Sequence, residues 1–200
     1  MTFGALAQVD GYKNVYTEEE WVERDEWQRP NDIIRKMKID KNSVVADLGC
    51  HEGYMSFKLA GVAKKVYAID VDQWKIDKVN KKKNPVITTI KGDYDNPHLP
   101  DSIDAVVILD TYHEMDDHDK ILRHIFTSLK KGGRLVICEP IADSRRNVTR
   151  TDQERKHELG MNYALEDLKK AGFTVTEKTD PFVDRVKVKG DKMWIVVAVK

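Results

Sequence analysis

The chain has 200 residues, with 34 Lys plus Arg balanced by 34 Asp plus Glu. That length suits one domain with a substantial core, and the neutral balance excludes a global field favouring nucleic acid or an anionic membrane. Cys50 and Cys138 fit no metal spacing or disulfide framework, no signal-peptide pattern opens the chain, and the longest apolar run, Trp194 to Val199, is too short to cross a bilayer, so a cytoplasmic location is expected.

Thr17 and Glu20 have capping-box spacing, with Tyr16 and Trp21 at the staple positions. A helix is expected from about Glu18 until just before Pro30. Asn31 or Asp32 can cap a second short helix, with Ile33, Ile34 and Met37 on one face. From Ser43 onward, strand-like and helix-like segments alternate. Val44–Asp47, Val66–Asp70, Pro85–Lys91, Ala105–Asp110 and Arg134–Glu139 read as strands. Tyr54–Ala60, about Gln73–Lys82 and Asp117–Lys130 read as helices, the last with Asp116 as its cap. This alternation predicts right-handed βαβ units around a parallel sheet. Farther on, Thr151 and Glu154 form another capping-box pattern, Gly160 is a helix stop, and Asn162 can cap a helix ending at Ala171-Gly172. Phe173–Lys178 and Met193–Val199 suit a closing β-hairpin.

The segment Val44-Val45-Ala46-Asp47-Leu48-Gly49-Cys50-His51-Glu52-Gly53 joins an apolar strand to a helix through a glycine-bearing turn, with a carboxylate at the strand end. A nicotinamide-binding fold would show G-x-G-x-x-G here, to bring backbone to a pyrophosphate. That spacing is absent, and Asp47 would repel a pyrophosphate. A carboxylate suits a ligand carrying an ammonium and a sulfonium, as S-adenosylmethionine does. The next strand, Val66-Tyr67-Ala68-Ile69, also ends in a carboxylate, Asp70.

These features resemble the class I methyltransferases over about residues 42–200. Their first motif, acidic-x-Gly-x-Gly-x-Gly, stands here as Asp47-Leu48-Gly49-Cys50-His51-Glu52-Gly53, with His51 replacing the middle glycine. The resemblance implies a three-layer α/β/α sandwich with a seven-stranded, mostly parallel sheet whose last strand is antiparallel. It also implies S-adenosylmethionine as cofactor and S-adenosylhomocysteine as product. Asp47 would order the loop and help hold the methionine ammonium, and Gly49, Cys50, His51 and Gly53 would form the loop around it. Asp70 would take both ribose hydroxyls, Val71 would lie against the adenine, and Asp93 and Tyr94 would bind and cover the ring. One domain is expected over 1–200, with an N-terminal helical cap (1–39), a cofactor-binding half (42–140) and a substrate-side insert plus hairpin (141–200).

In an open α/β sheet, ligands sit beyond the carboxyl ends of the strands. The fourth strand delivers Asp110-Thr111-Tyr112-His113-Glu114 there. His113 is the expected general base, titrating near neutrality, with Tyr112 as a pocket wall and Asp110 as a further polar group. Members of the family acting on catechol-like substrates place metal-binding carboxylates near Asp110 and Glu139, but Pro140 stands where an Asn is needed, so no metal is expected. Substrate selection falls to the amino-terminal helix, with Tyr12, Tyr16, Trp21 and Trp27, and to Ile141–Gly160, with Arg145, Arg146, Arg150, Arg155 and His157. The expected activity is methyl transfer to oxygen or nitrogen of a small molecule by a monomer or homodimer, without nucleic acid or membrane span. An RNA or protein methyltransferase, or a non-catalytic cofactor- or nucleoside-binding protein, remains open.

Overall fold

The computed structural model describes residues 15–200; Tyr12 lies outside them. The first described helix follows a 3-10 turn at Glu18–Glu20 and runs as α1, Trp21–Gln28. Arg29 is left-handed, and Pro30 opens α2, Pro30–Met37, because a proline at the first helical position gives up no needed N–H. The remaining elements are β1 (Val44–Leu48), α3 (Tyr54–Ala60), β2 (Lys65–Asp70), α4 (Gln73–Lys81), β3 (Ile87–Lys91), β4 (Ile103–Leu109), α5 (His118–Ser128) and β5 (Leu129–Ile141). They are followed by α6 (Arg150–Glu154), α7 (Met161–Lys170), β6 (Thr174–Arg185), α8 (Val186–Lys189) and β7 (Asp191–Val199).

The strands form one seven-stranded sheet in the order β3-β2-β1-β4-β5-β7-β6. β1 pairs in parallel with β2 and β4, and only β7 runs against its neighbours, β5 and β6. This is the architecture expected from the resemblance. The chain order reverses at β1, between β2 and β4, which is where such sheets bind ligands.

Period-two alternation decides which side chains face which helices. Ala46, Leu48, Val106, Ile108, Leu135 and Ile137 point to one face, against Ile121, Leu122 and Ile125 of α5 and Leu168 of α7. Val45, Val66, Ala105, Val107 and Val136 point to the other, against Ile33 and Met37 of α2 and Met55 and Leu59 of α3. Both faces are covered, so the central strands are apolar on both sides.

Several helix starts differ from their sequence patterns. Thr17 makes no side-chain cap for the 3-10 turn. Neither Asn31 nor Asp32 caps α2, since Pro30 already starts it. α5 is capped by Asp117, whose carboxylate accepts from Lys120 N, rather than by Asp116. Two overlapping Thr-x-x-acid patterns compete near α6, and Thr149 wins: its hydroxyl bonds the Asp152 carboxylate at 2.7 Å and accepts from Asp152 N, leaving Thr151 inside the helix. Gly160 starts α7 instead of stopping a helix, and Asn162 is the second residue of that helix rather than its cap.

Tyr112 also departs from its expected place. A short 3-10 turn at Tyr112–Glu114 breaks the alternation of β4 and swings the phenol into the core shared with α5 and α7, at 0% exposure. Its hydroxyl donates to Asp167 Oδ2 at 2.9 Å, and the same carboxylate pairs with Arg150. Tyr112 is therefore a buried tie between the turn and α7, not a pocket wall. Tyr112→Phe should lower unfolding free energy by about 1–2 kcal/mol, because Asp167 keeps Arg150 as a partner. Urea denaturation would show a lower midpoint with an unchanged slope.

Candidate active site

The loop after β1 depends on two glycines. Gly49 has φ +79°, and a Cβ there would overlap the Thr111 side chain. Gly53 has φ +96° and a would-be Cβ 2.7 Å from the Phe57 ring. His51 between them also takes a left-handed φ of 50°, which histidine tolerates better than most residues. The loop is hung from β2: the N–H groups of Gly49 and Cys50 both donate to Ile69 O at 2.9 Å. Asp70 holds the next turns, accepting from His51 N at 2.9 Å and Asp72 N at 3.0 Å. Glu52, nearly fully buried, pairs with Lys78 at 2.7 Å and accepts from Glu18 N, tying the amino-terminal turn to the loop.

Asp47 projects from the end of β1 at 2% exposure. Ser56 Oγ donates to it at 2.6 Å. Burial outweighs that bond and pushes its pKa up to about 6. Nearby, the Arg24 guanidinium is also buried. It donates to Gln28 Oε1 and lies over the Tyr54 ring at 4.0 Å and the Tyr16 ring at 5.1 Å.

At the end of β4, Asp110 has φ +57°. It accepts from Tyr16 Oη at 2.7 Å and from Arg185 at 2.9 Å. Burial opposes its ionisation, but the Arg185 guanidinium and His113 overcome that and hold its carboxyl below the usual range. Arg185 also pairs with Asp191.

Behind this turn stands Glu139 of β5, at 0% exposure. Its carboxylate accepts from the N–H groups of Thr111 (2.7 Å), Tyr112 (2.8 Å) and His113 (3.3 Å), and bonds His113 Nδ1 at 2.6 Å. Burial alone would lower the His113 pKa, but Glu139 and Glu114 push it up to about 10. That shift favours the protonated ring and makes His113 a weak acceptor of a further proton near neutrality. The expectation of a free imidazole titrating near neutrality is therefore corrected: the ring is held between Glu139 and Glu114. Its hydrogen bond holds the Glu114 carboxyl down at about 2.

These groups line one cavity of about 780 Å³ at the carboxyl ends of β1, β2 and β4. Asp47, Gly49, Cys50, His51, Asp70, Val71, Asp93, Tyr94, Asp110 and His113 all border it, so the structure gathers nearly the whole expected set. Gly53 sits just behind as the start of α3, and Tyr112 is excluded. Asp93 and Tyr94 lie on the exposed rim, Asp93 bonded to His98 at 2.8 Å. Cys50 is buried and its thiol is driven well above the ordinary value by that burial. Of the residues proposed for acceptor selection, Tyr16, Arg145 and His157 border the cavity. Arg146 instead pairs with Asp180, Arg150 with Glu154 and Asp167, and Trp21 packs on Tyr54 and Phe57.

The important residues missed in the sequence are Arg24, Glu158 and Arg185. Each sits in a locally charged stretch that reads as solvent-facing. Only the Arg24/Gln28 spacing, four apart on one helical face, offered a signal. Asp110 and Glu139 do occupy neighbouring strand ends, as a catechol-type metal site needs. However, Asp110 is committed to Tyr16 and Arg185, and Glu139 to the turn it anchors.

The residues present fit S-adenosylmethionine. Among the described residues, the buried Asp47 carboxylate makes no ion pair and is suited to an ammonium, and the buried His51 Nδ1 has no hydrogen-bond partner.

Comparison with known proteins agrees with this geometry. Residues 46–137 match the family described as Methyltransferase domain. An uncharacterized methyltransferase of Geobacillus sp. is 25% identical over 96% of this chain and 91% of its own length. In fold, the chain superposes on an S-adenosylmethionine-dependent methyltransferase from Aquifex aeolicus with TM-score 0.73 and 19% identity, over 92% of this chain and 98% of that one. It superposes equally on the N-methyltransferase NodS of Bradyrhizobium japonicum, solved with S-adenosylhomocysteine, with TM-score 0.72 and 18% identity over 93% and 94% of the two chains. The chain is thus similar in sequence to a methyltransferase domain over residues 46–137, and in fold to S-adenosylmethionine-dependent methyltransferases over nearly its whole length.

The raised pKa of Asp47 has a thermodynamic signature. Its carboxyl ionises near pH 3.8 when unfolded and near 6 when folded. Without ligand, the fold therefore bears no penalty below about pH 4, a growing one from 4 to 6, and the full one above 6. Asp47→Asn should stabilise the ligand-free protein by about 1–3 kcal/mol at pH 7.5 and by nearly nothing at pH 4, while weakening cofactor binding. Melting curves of both proteins at the two pH values would check this.

Proposed function

We propose that this protein transfers the methyl group of S-adenosylmethionine to an oxygen or nitrogen of a small-molecule acceptor. The observation that carries the reading is the lining of one cavity. Asp70, Val71, Asp93 and Tyr94, which suit an adenosine, border the same cavity as Asp47 and as Tyr16, Arg145, Glu158, Arg185 and Val188, which we take as its acceptor end.

In this reading Asp70 holds the ribose hydroxyls, since a carboxylate is a bidentate acceptor for a vicinal pair. Both its oxygens already anchor backbone N–H groups, so the ribose and the loop are positioned by one side chain. Val71 and Tyr94 contact the adenine, and Asp93 accepts from its amino group. Asp47 takes the methionine ammonium, and Arg24 the methionine carboxylate. The cofactor supplies an electrophilic methyl group on a sulfonium. The chain contributes orientation, exclusion of water and a fixed approach line, which together can supply most of the acceleration of a displacement at carbon. The Arg145–Glu158 pair, with Glu158 also accepting from Ala142 N, braces the roof over the acceptor end.

Calorimetry should show micromolar binding of S-adenosylmethionine and S-adenosylhomocysteine; absence of heat with both would overturn the cofactor assignment. Asp70→Ala should cost about 2–3 kcal/mol, roughly 30- to 150-fold in affinity. Incubation with a metabolite extract and labelled cofactor, read by mass spectrometry, should place label on a small molecule. Label appearing only on RNA or protein would refute the acceptor class while leaving methyl transfer intact.

A further inference from the structure

His113, Glu114 and His157 converge where the large cavity meets a second opening. His113 and Glu114 come from the 3-10 turn after β4, and His157 from the left-handed residue at φ 57° beyond α6. The ligand-capable atoms of the three lie within 4.8 Å of one another. Glu114 Oε1 is 3.4 Å from His113 Nε2 and 2.7 Å from His157 Nδ1. The other nitrogen of His113 is locked on the buried Glu139 at 2.6 Å. A carboxylate behind a ligating imidazole fixes its ring orientation and strengthens its donor atom.

The geometry points to a divalent transition-metal site of the zinc class, held by His113 Nε2, Glu114 Oε1 and His157 Nδ1 with Glu139 behind His113. Two imidazoles and one carboxylate select a borderline ion such as Zn²⁺, Co²⁺ or Ni²⁺ over the harder Mg²⁺ or Ca²⁺. A tetrahedral ion with bonds of about 2.0–2.2 Å keeps its ligand atoms roughly 3.4 Å apart. The Glu114–His113 separation of 3.4 Å already has that value, while Glu114 and His157, at 2.7 Å, must move slightly apart. The exposed His157 ring, at 71%, can turn to complete the set. Binding expels the proton that His113 shares with Glu114, and three protein ligands leave a position for water or an anionic oxygen.

The second opening supplies an approach for a cation. Its lining carries six carboxylate side chains against three Lys or Arg, with Asp116, Asp117 and Asp119 grouped beside Glu114. The other buried grouping of potential ligands, Asp110, His113 and Glu139, is already satisfied by Arg185, Tyr16 and three backbone N–H groups. Among the described residues, that leaves the His113/Glu114/His157 face as the grouping open to an ion.

This assignment is independent of methyl transfer and is tested by metal binding alone. The full chain, stripped with a chelator and dialysed, is titrated with Co²⁺ and followed by its visible absorption. We expect one equivalent bound with micromolar or tighter affinity, a ligand-field band typical of nitrogen coordination, and displacement by Zn²⁺. His113 is buried, and its replacement can unfold the turn, so the variants are at the exposed ligands. His157→Ala and Glu114→Gln should each weaken Co²⁺ by at least roughly tenfold, with unchanged circular dichroism. His98→Ala removes a histidine from an exposed His–Asp pair elsewhere and should bind as the parent does. No band, a band that survives both ligand variants, or one lost with His98→Ala would each overturn the assignment.

Discussion

The site depends on one buried charge. Glu139 stands on β5 with no solvent contact and gathers four donors from the turn after the neighbouring strand. Moving a carboxylate out of water costs several kcal/mol, and only a nearly complete set of charge-assisted hydrogen bonds offsets it. That requirement makes the turn's path unique. Three consecutive N–H groups must face β5, so Asp110 is left in the left-handed region pointing at the cavity, Tyr112 is thrown into the core, and His113 is held against Glu139. Three neighbouring side chains thus receive three separate destinations from one acceptor.

The cofactor end follows a related logic with a different anchor. Asp70 organises the glycine loop through His51 N and Asp72 N, and Gly49 permits Thr111 to pack where a Cβ would stand. The loop after β1 and the turn after β4 are therefore in direct contact, so the two halves of the site cannot shift independently. Asp47, by contrast, is left poorly compensated. Stability given up at that position is available as affinity for a cation, a common arrangement at functional sites.

Much of this was legible in the sequence. Strand and helix alternation located the sheet because apolar runs of four to seven residues separated by turn residues have few other readings. The carboxylates Asp47 and Asp70 stood out because strand ends seldom carry unpaired charge. What escaped was set by tertiary contact. Arg24 and Arg185 lie in polar surroundings in sequence, yet are buried because the Tyr16 and Tyr54 rings cover Arg24, and Asp110 and Asp191 meet Arg185, from other elements. The direction of Tyr112 could not be read, since a 3-10 turn breaks the two-residue period that assigns faces. His113 was found, but its charge state depends on Glu139, 26 residues away. Thr149 and Thr151 both head a Thr-x-x-acid pattern, and local sequence does not choose between them.

The strand order has a consequence for biosynthesis. β7 follows β6 in sequence but lies between β6 and β5. While the chain is being made, β5 therefore presents a bare edge of hydrogen-bonding groups, and β6 has no neighbour. Arg185, which has Asp110 as one partner, likewise waits for Asp191, at the start of β7, as its second. Until β7 arrives the outer edge of β5 stays unpaired, a period in which it invites association with other chains. Insertion of that single strand then pairs both edges, completes the ion pairs of Arg185 and adds Asp191 to the wall of the binding cavity in one event.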